Sequence, residues 1–174
     1  MRKKKHDKNE IEDLYEESLS DALRRLESLP VAEGRTPNVR GLNGWVYEQT
    51  IRYCLSGELK ARRISPIMQE QVPVPLYRRA KIDLLVGRRV AVEIKTCGVF
   101  GLDDARKYRR YRPKVEDEGW TYCYLTGSET YQRYRLVMED AFGKERAFFL
   151  DTQGDWERFV IFVEGALRNQ EAKP

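Results

Sequence analysis

The stretch KIDLLVGRRVAVEIKT, from Lys81 to Thr96, decides how the rest of the chain is read. Ile82, Leu84, Val86, Val90, Val92 and Ile94 are all apolar and all even-numbered. A strand sends alternate side chains to opposite faces, so this parity puts the six on one face of a β-hairpin. Packed as a unit, they set Ile82 opposite Ile94, Leu84 opposite Val92 and Val86 opposite Val90. The same register sets Asp83 across from Glu93 and Lys81 across from Lys95. Directly opposed Cβ atoms lie about 4.5–5.5 Å apart, within reach of one cation. Two carboxylates and a lysine are the minimum equipment for metal-assisted phosphodiester hydrolysis. The acids hold a divalent cation, and the lysine orients or helps activate the attacking water.

The register demands a three-residue connection, Gly87-Arg88-Arg89, whereas Gly-X is the usual signature of a two-residue turn. A two-residue turn would slip the strands by one residue and send the acids to opposite faces. Six apolar side chains outweigh one turn preference, and a bulge near Gly87 reconciles them. The plainer reading is a half-buried hairpin with solvated charges, since an acid-spacer-acid-x-lysine pattern also arises by chance.

At 174 residues, 41% hydrophobic and 34% charged, the chain reads as one globular domain over residues 1–174. A net charge of +4 permits a nucleic acid partner without demanding one. Cys54, Cys97 and Cys123 are odd in number and lack metal-ligand spacing, so they read as free thiols of a reducing, intracellular compartment, the cytoplasm. No apolar run is long enough to span a membrane. Residues 1–8, MRKKKHDK, read as a disordered basic arm and lack the apolar segment of a secretory signal. The sole histidine, His6, lies in that arm. Ser-His-Asp, Cys-His and histidine-based RNA cleavage therefore lack their base, and no Gly-rich phosphate loop is present. Carboxylate–metal chemistry is what remains.

Helical spacing of Ile11, Leu14, Tyr15, Leu19, Ala22, Leu23 and Leu26 predicts an amphipathic helix over residues 9–29. A second helix is expected over 43–61, with Asn43 as N-cap and Gly57 weakening its far end. A strand over 67–76 contains Pro73 and Pro75, which argue for an edge position. After the hairpin, a helix begins near Leu102 and is kinked or restarted at Pro113. A buried strand over 120–126, a helix over 128–142, a strand over 146–151 and a helix over 155–169 complete the order α-α-β-β-β-α-β-α-β-α. That order gives an α/β fold with a mixed sheet and helices on its faces.

Glu48, within GWVYEQ of the second helix, is a candidate third acid if that helix packs beside the sheet. Its plainer role is an exposed pair with Arg52 one turn on. The third helix carries Arg106, Lys107, Arg109, Arg110, Arg112 and Lys114, with Tyr108 and Tyr111 on a stripe with Asp104 and Val115 that reads as packing. With Lys81, the residues Arg106, Lys107, Arg109 and Arg110 are candidate phosphate contacts, against the plainer reading of a solvated face.

A helix bearing Glu48, then a strand, then Asp83, Glu93-Ile94-Lys95, a helix and a strand resembles the PD-(D/E)XK nuclease superfamily. GWVYE, QVPVP, KIDLLV and VAVEIKT are most similar to its small members with a GxxE helix motif, and less so to archaeal Holliday-junction resolvases. The resemblance covers residues 42–126, leaving the first helix and an extension over 127–174 outside it. Ile82 stands where the family often has proline, and the glutamine and tyrosine often found on the following helix are matched loosely by Asp104 and Tyr108.

The resemblance implies a restriction-endonuclease-like sheet with an αβββαβ core. It implies Mg²⁺ or Mn²⁺ held by Asp83, Glu93 and the Ile94 carbonyl, with Glu48 supporting the metal and Lys95 orienting the water. The expected activity is hydrolysis of DNA to 5′-phosphate and 3′-hydroxyl ends, with a homodimer as one way to address two strands. The alternative is a nuclease-like domain that binds nucleic acid or a protein partner without cutting it.

Overall fold

A computed structural model describes residues 8–28, 41–96, 102–127 and 132–169. The expected basic arm before Lys8, with His6, lies outside the described residues, as does Cys97. Strands β2 (Tyr77–Val86) and β3 (Val90–Lys95) form the antiparallel hairpin. Its register is the one the apolar parity predicts: Leu84 opposes Val92, Leu85 opposes Ala91 and Val86 opposes Val90.

The turn reconciles parity with turn chemistry. Arg89 N–H donates to the Val86 carbonyl at 2.9 Å, closing a four-residue turn. Its central residues, Gly87 and Arg88, have φ of 59° and 53°. Two left-handed central residues are the mark of a primed hairpin turn. Val86 is nevertheless paired with Val90, so Arg89 is one residue extra and the hairpin carries a bulge there.

The five strands lie in the order β1-β2-β3-β4-β5. β1 (Met68–Val74) is antiparallel to β2, while β4 (Thr121–Thr126) and β5 (Ala147–Phe149) extend the sheet in parallel from β3. The mixed sheet follows from the connections. A short turn, Pro75-Leu76, joins β1 to β2, whereas helices α3 (Leu102–Asp117) and α4 (Gln132–Phe142) carry the chain back to start β4 and β5. β1 is an edge strand with a register shift at Pro73/Val74, as its prolines predict.

Both faces are covered, so the sheet separates two cores. Leu84, Val86, Val90, Val92 and Ile94 pack with α2 (Leu42–Ala61) and α5 (Asp155–Arg168), and α1 (Lys8–Glu27) adds Ile11, Leu14 and Tyr15 at the margin. Leu85, Ala91, Tyr122 and Tyr124 face α3 and α4. Ile82 corrects the simple parity: it packs in this second core with Leu85 and Ala91, so β2 changes face between Ile82 and Leu84. Two-sided burial also explains why Ile82 to Val86 is an unbroken buried run.

Three local expectations are corrected. α2 starts at Leu42 with Gly41, at φ 83°, as its N-cap, so Asn43 lies inside the helix, while its end at Ala61 is the one expected. α3 runs unbroken through Pro113, so it does not restart there, and the exposed position leaves the unpaired carbonyl one turn back to water. β5 has three residues, with a 3₁₀ turn over Lys144–Arg146 in front of it. No helix among the described residues is long and apolar enough to cross a membrane.

Gly127 fixes where β3 and β4 end. Its N–H donates to the Lys95 carbonyl at 3.1 Å, and a Cβ there would lie 2.2 Å from the Thr96 carbonyl oxygen and 2.8 Å from Tyr47 Oη. Backbone cannot yield as a flexible side chain does. Gly127→Ala is therefore expected to lower stability by about 1–3 kcal/mol in urea unfolding, by forcing apart the strand ends that carry Lys95.

Candidate active site

The hairpin ladder stops at Leu84–Val92, one step before the acids. Asp83 and Glu93, Ile82 and Ile94, and Lys81 and Lys95 are therefore not ladder partners, which corrects the fully paired register. The reason lies in Asp83 itself. Its Oδ2 accepts the Ile94 N–H at 2.8 Å, so a side-chain oxygen takes the place of a β2 carbonyl. The acids converge all the same, because Lys95 Nζ lies 3.3 Å from Asp83 Oδ2 and 2.8 Å from Glu93 Oε1.

Glu93 is held on several sides. Tyr108 Oη donates to its Oε1 at 2.9 Å, and Tyr122 Oη to its Oε2 at 3.2 Å. Buried tyrosines need a partner for the hydroxyl, and a carboxylate satisfies both. Burial first, then the charge of Glu93, pushes both phenols far above their usual range, so they stay neutral donors. The Ile94 N–H points at Asp83, and a strand residue aims its carbonyl to the same edge as its N–H. The Ile94 carbonyl therefore faces the Asp83 edge, away from the edge where β3 meets β4.

Glu48 reaches the cluster from α2. Its Oε2 accepts the Gln71 Nε2–H at 3.3 Å, whereas Arg52 pairs with Glu70 at 3.0 Å, so the expected Glu48–Arg52 pair is not formed. Asp83 is 9% exposed and Glu93 4%. Burial, helped by the Glu93 charge, pushes the Asp83 carboxyl up to about 6 despite Lys95 and the Ile94 amide. Burial and then the Asp83 charge raise Glu48 to about 7. Burial opposes the charge on Lys95, yet Glu93 and Asp83 outweigh it and hold the ammonium above its ordinary range. Lys95 is thus a fixed cation at neutral pH and not a proton acceptor.

Asp83 and Glu93 share one ammonium, with Glu48 close enough for its charge to be felt, and burial first, then neighbouring negative charge, raises Asp83 and Glu48. Carboxylate and carbonyl oxygens are the donors that Mg²⁺ and Mn²⁺ prefer. The site fits a divalent cation in charge and donor type but is not a finished cage. Among the described residues no three His, Cys, Asp or Glu side chains are grouped to hold a metal, and Lys95 bridges the two acids.

The basic residues predicted to meet phosphate are either in ion pairs or exposed. Arg106 pairs with Asp103 at 3.1 Å, Lys107 with Asp104 at 3.2 Å, and Arg109 with Asp140 on α4. Arg110 and Lys81 are exposed. Tyr108 was expected only to pack; it packs beside Phe142 and also holds Glu93. Tyr122 and Gln71 escaped the sequence reading. A buried strand with tyrosines at 122 and 124 was a usable signal for Tyr122; apolar patterning holds none for Gln71. A groove of about 740 Å³ between α1 and α2 is lined by Leu14, Trp45, Gln49 and Tyr53 among others, and by none of the four charged site residues. Compared with models of protein families, with curated proteins and with solved structures, the chain gives no match, so the site is read from its own geometry.

Proposed function

We propose that this protein is a metal-dependent nuclease of the PD-(D/E)XK type, with a restriction-endonuclease-like core, hydrolysing DNA to 5′-phosphate and 3′-hydroxyl ends. The observation that carries the reading is the buried cluster in which Lys95 spans Asp83 and Glu93 while Glu48 approaches from α2. A structural ion pair needs one acid. A third acid beside that pair leaves negative charge that either protonation or a bound cation would neutralise.

Asp83, Glu93 and the Ile94 carbonyl would hold Mg²⁺ or Mn²⁺, with Glu48 as the supporting acid. Bound there, the ion lowers the pKa of a water and offsets the charge building on phosphate. Tyr108 and Tyr122 fix the Glu93 carboxylate, as hydrogen bonds behind a ligand do. Lys95, held as a cation, orients the attacking water and stabilises the developing phosphate charge. Water attacks phosphorus in line, and the bond to the 3′ oxygen breaks. Lys81, Arg106, Lys107, Arg109 and Arg110 would meet the backbone. Exposed ion pairs such as Arg106–Asp103 contribute little and exchange readily for phosphate.

Purified protein is expected to cut DNA with Mg²⁺ or Mn²⁺, to stop in EDTA, and to leave ends that a ligase joins without a kinase. Ends that require phosphorylation before ligation would exclude this chemistry. The lack of a ready three-ligand group among the described residues favours a second reading, a domain that binds nucleic acid without cutting. Retarded DNA on gels, unchanged by EDTA and never cleaved, would decide for it.

A further inference from the structure

Gln71 has φ of 52°, in the left-handed region that residues with side chains avoid. The β1–β2 ladder keeps one register from Met68–Val86 to Pro73–Lys81, yet the step between Glu70–Leu84 and Val72–Ile82 is missing. The skipped pair is Gln71 and Asp83. Both strands change face there. Met68 packs against the α2 side and Glu70 pairs with Arg52 of α2, but Val72 and Val74 belong to the opposite core. On β2, Leu84 belongs to the first core and Ile82 to the second. The two-stranded ribbon turns over at this pair.

Turning a ribbon over explains a left-handed residue but not a glutamine. Glycine adopts that conformation freely, and asparagine with less strain. The Gln71 backbone is on an exposed edge, and its amide donates to Glu48 Oε2 at 3.3 Å. We propose that Gln71 is a positioning residue for the acid cluster. Its backbone turns the β1–β2 ribbon over at Asp83, and its amide holds Glu48 toward the acid pair. Asp83 is left out of the β1–β2 ladder at this turn-over, and its carboxylate reaches the Ile94 amide and Lys95 on the other side. The activity half of this proposal rests on the nuclease reading; the contact between Gln71 and Glu48 does not.

The test is a cycle of Gln71→Gly, Glu48→Ala and the double variant, read by thermal melting without added metal and by DNA cleavage with Mg²⁺. Gln71→Gly is expected to melt about 1–4 °C higher, since glycine relieves the left-handed backbone, while cleaving about 10-fold more slowly. In the Glu48→Ala background the same change should bring no further loss of cleavage, because Gln71 acts through Glu48. Wild-type cleavage by Gln71→Gly, or an equal loss in both backgrounds, overturns the positioning role. A lower melting point for Gln71→Gly overturns the backbone half. If the wild-type protein cuts nothing, the nuclease reading fails, and the melting cycle alone decides the contact: shifts that simply add overturn it, and shifts that do not add support it.

Discussion

Asp83→Ala and Lys95→Ala are each expected to lower DNA cleavage by about 10²–10³-fold, the loss seen when a preorganised electrostatic group is removed from a reaction centre. The two variants fail for different reasons. Asp83→Ala removes an oxygen donor and also the acceptor of the Ile94 N–H, so the β3 end loses its tie to β2. Lys95→Ala removes the cation that Asp83 and Glu93 share. The first should weaken the response to Mg²⁺, whereas excess Mg²⁺ should not rescue the second. Single-turnover cleavage across a Mg²⁺ titration separates them, with circular dichroism to check folding. Cleavage that survives both substitutions ends the carboxylate–metal mechanism.

Without metal, the protein should be more stable at pH 5 than at pH 8, the reverse of proteins held by salt-bridged acids. The sign follows from the two raised carboxyls. Asp83 moves from 3.8 to about 6 and Glu48 from 4.5 to about 7 on folding. A raised acid binds protons in the folded state that the unfolded state has released. Its stabilising contribution is complete below the unfolded value and fades as pH climbs through the folded one. The window is therefore about pH 4 to 7. For Asp83 the shift amounts to about 3 kcal/mol, and for half-buried Glu48 to less, because water screens it.

Asp83→Asn should accordingly raise stability at pH 8 by about 1–3 kcal/mol, by about half as much at pH 5, and not at all below about pH 4. Mg²⁺ should raise the melting point at pH 8 but not at pH 5, since only the ionised acids bind it. Cleavage should run the opposite way, rising through the same window. Urea unfolding at both pH values checks the claim, and greater stability at pH 8 without metal would refute it.

Much of this was legible because apolar side chains report their own geometry. Parity over Leu84, Val86, Val90, Val92 and Ile94 outvoted the Gly87 turn signal and gave the right register. The turn preference was sound too, and the bulge at Arg89 let both hold. Parity failed at Ile82, where the ribbon turns over, because a period of two cannot announce its own interruption. The pairing of Asp83 with Glu93 was correct in outcome and wrong in mechanism. The acids meet through Lys95 and the Ile94 amide, not through a ladder. Gln71 and Tyr122 were missed because both reach the site by polar contacts between elements far apart in sequence. No local pattern carries such contacts. The basic stripe on α3 was legible as charge, but its acidic partners Asp103, Asp104 and Asp140 had to be seen in place.

The sheet's two borders bear on how copies of this chain can meet. On one side β1 offers a proline, a register shift and a left-handed residue within seven positions; on the other β5 is three residues long. Neither border presents a flat row of unpaired amides and carbonyls that a foreign strand could copy. Among the described residues, both edges of the sheet thus discourage strand-by-strand accretion into fibres.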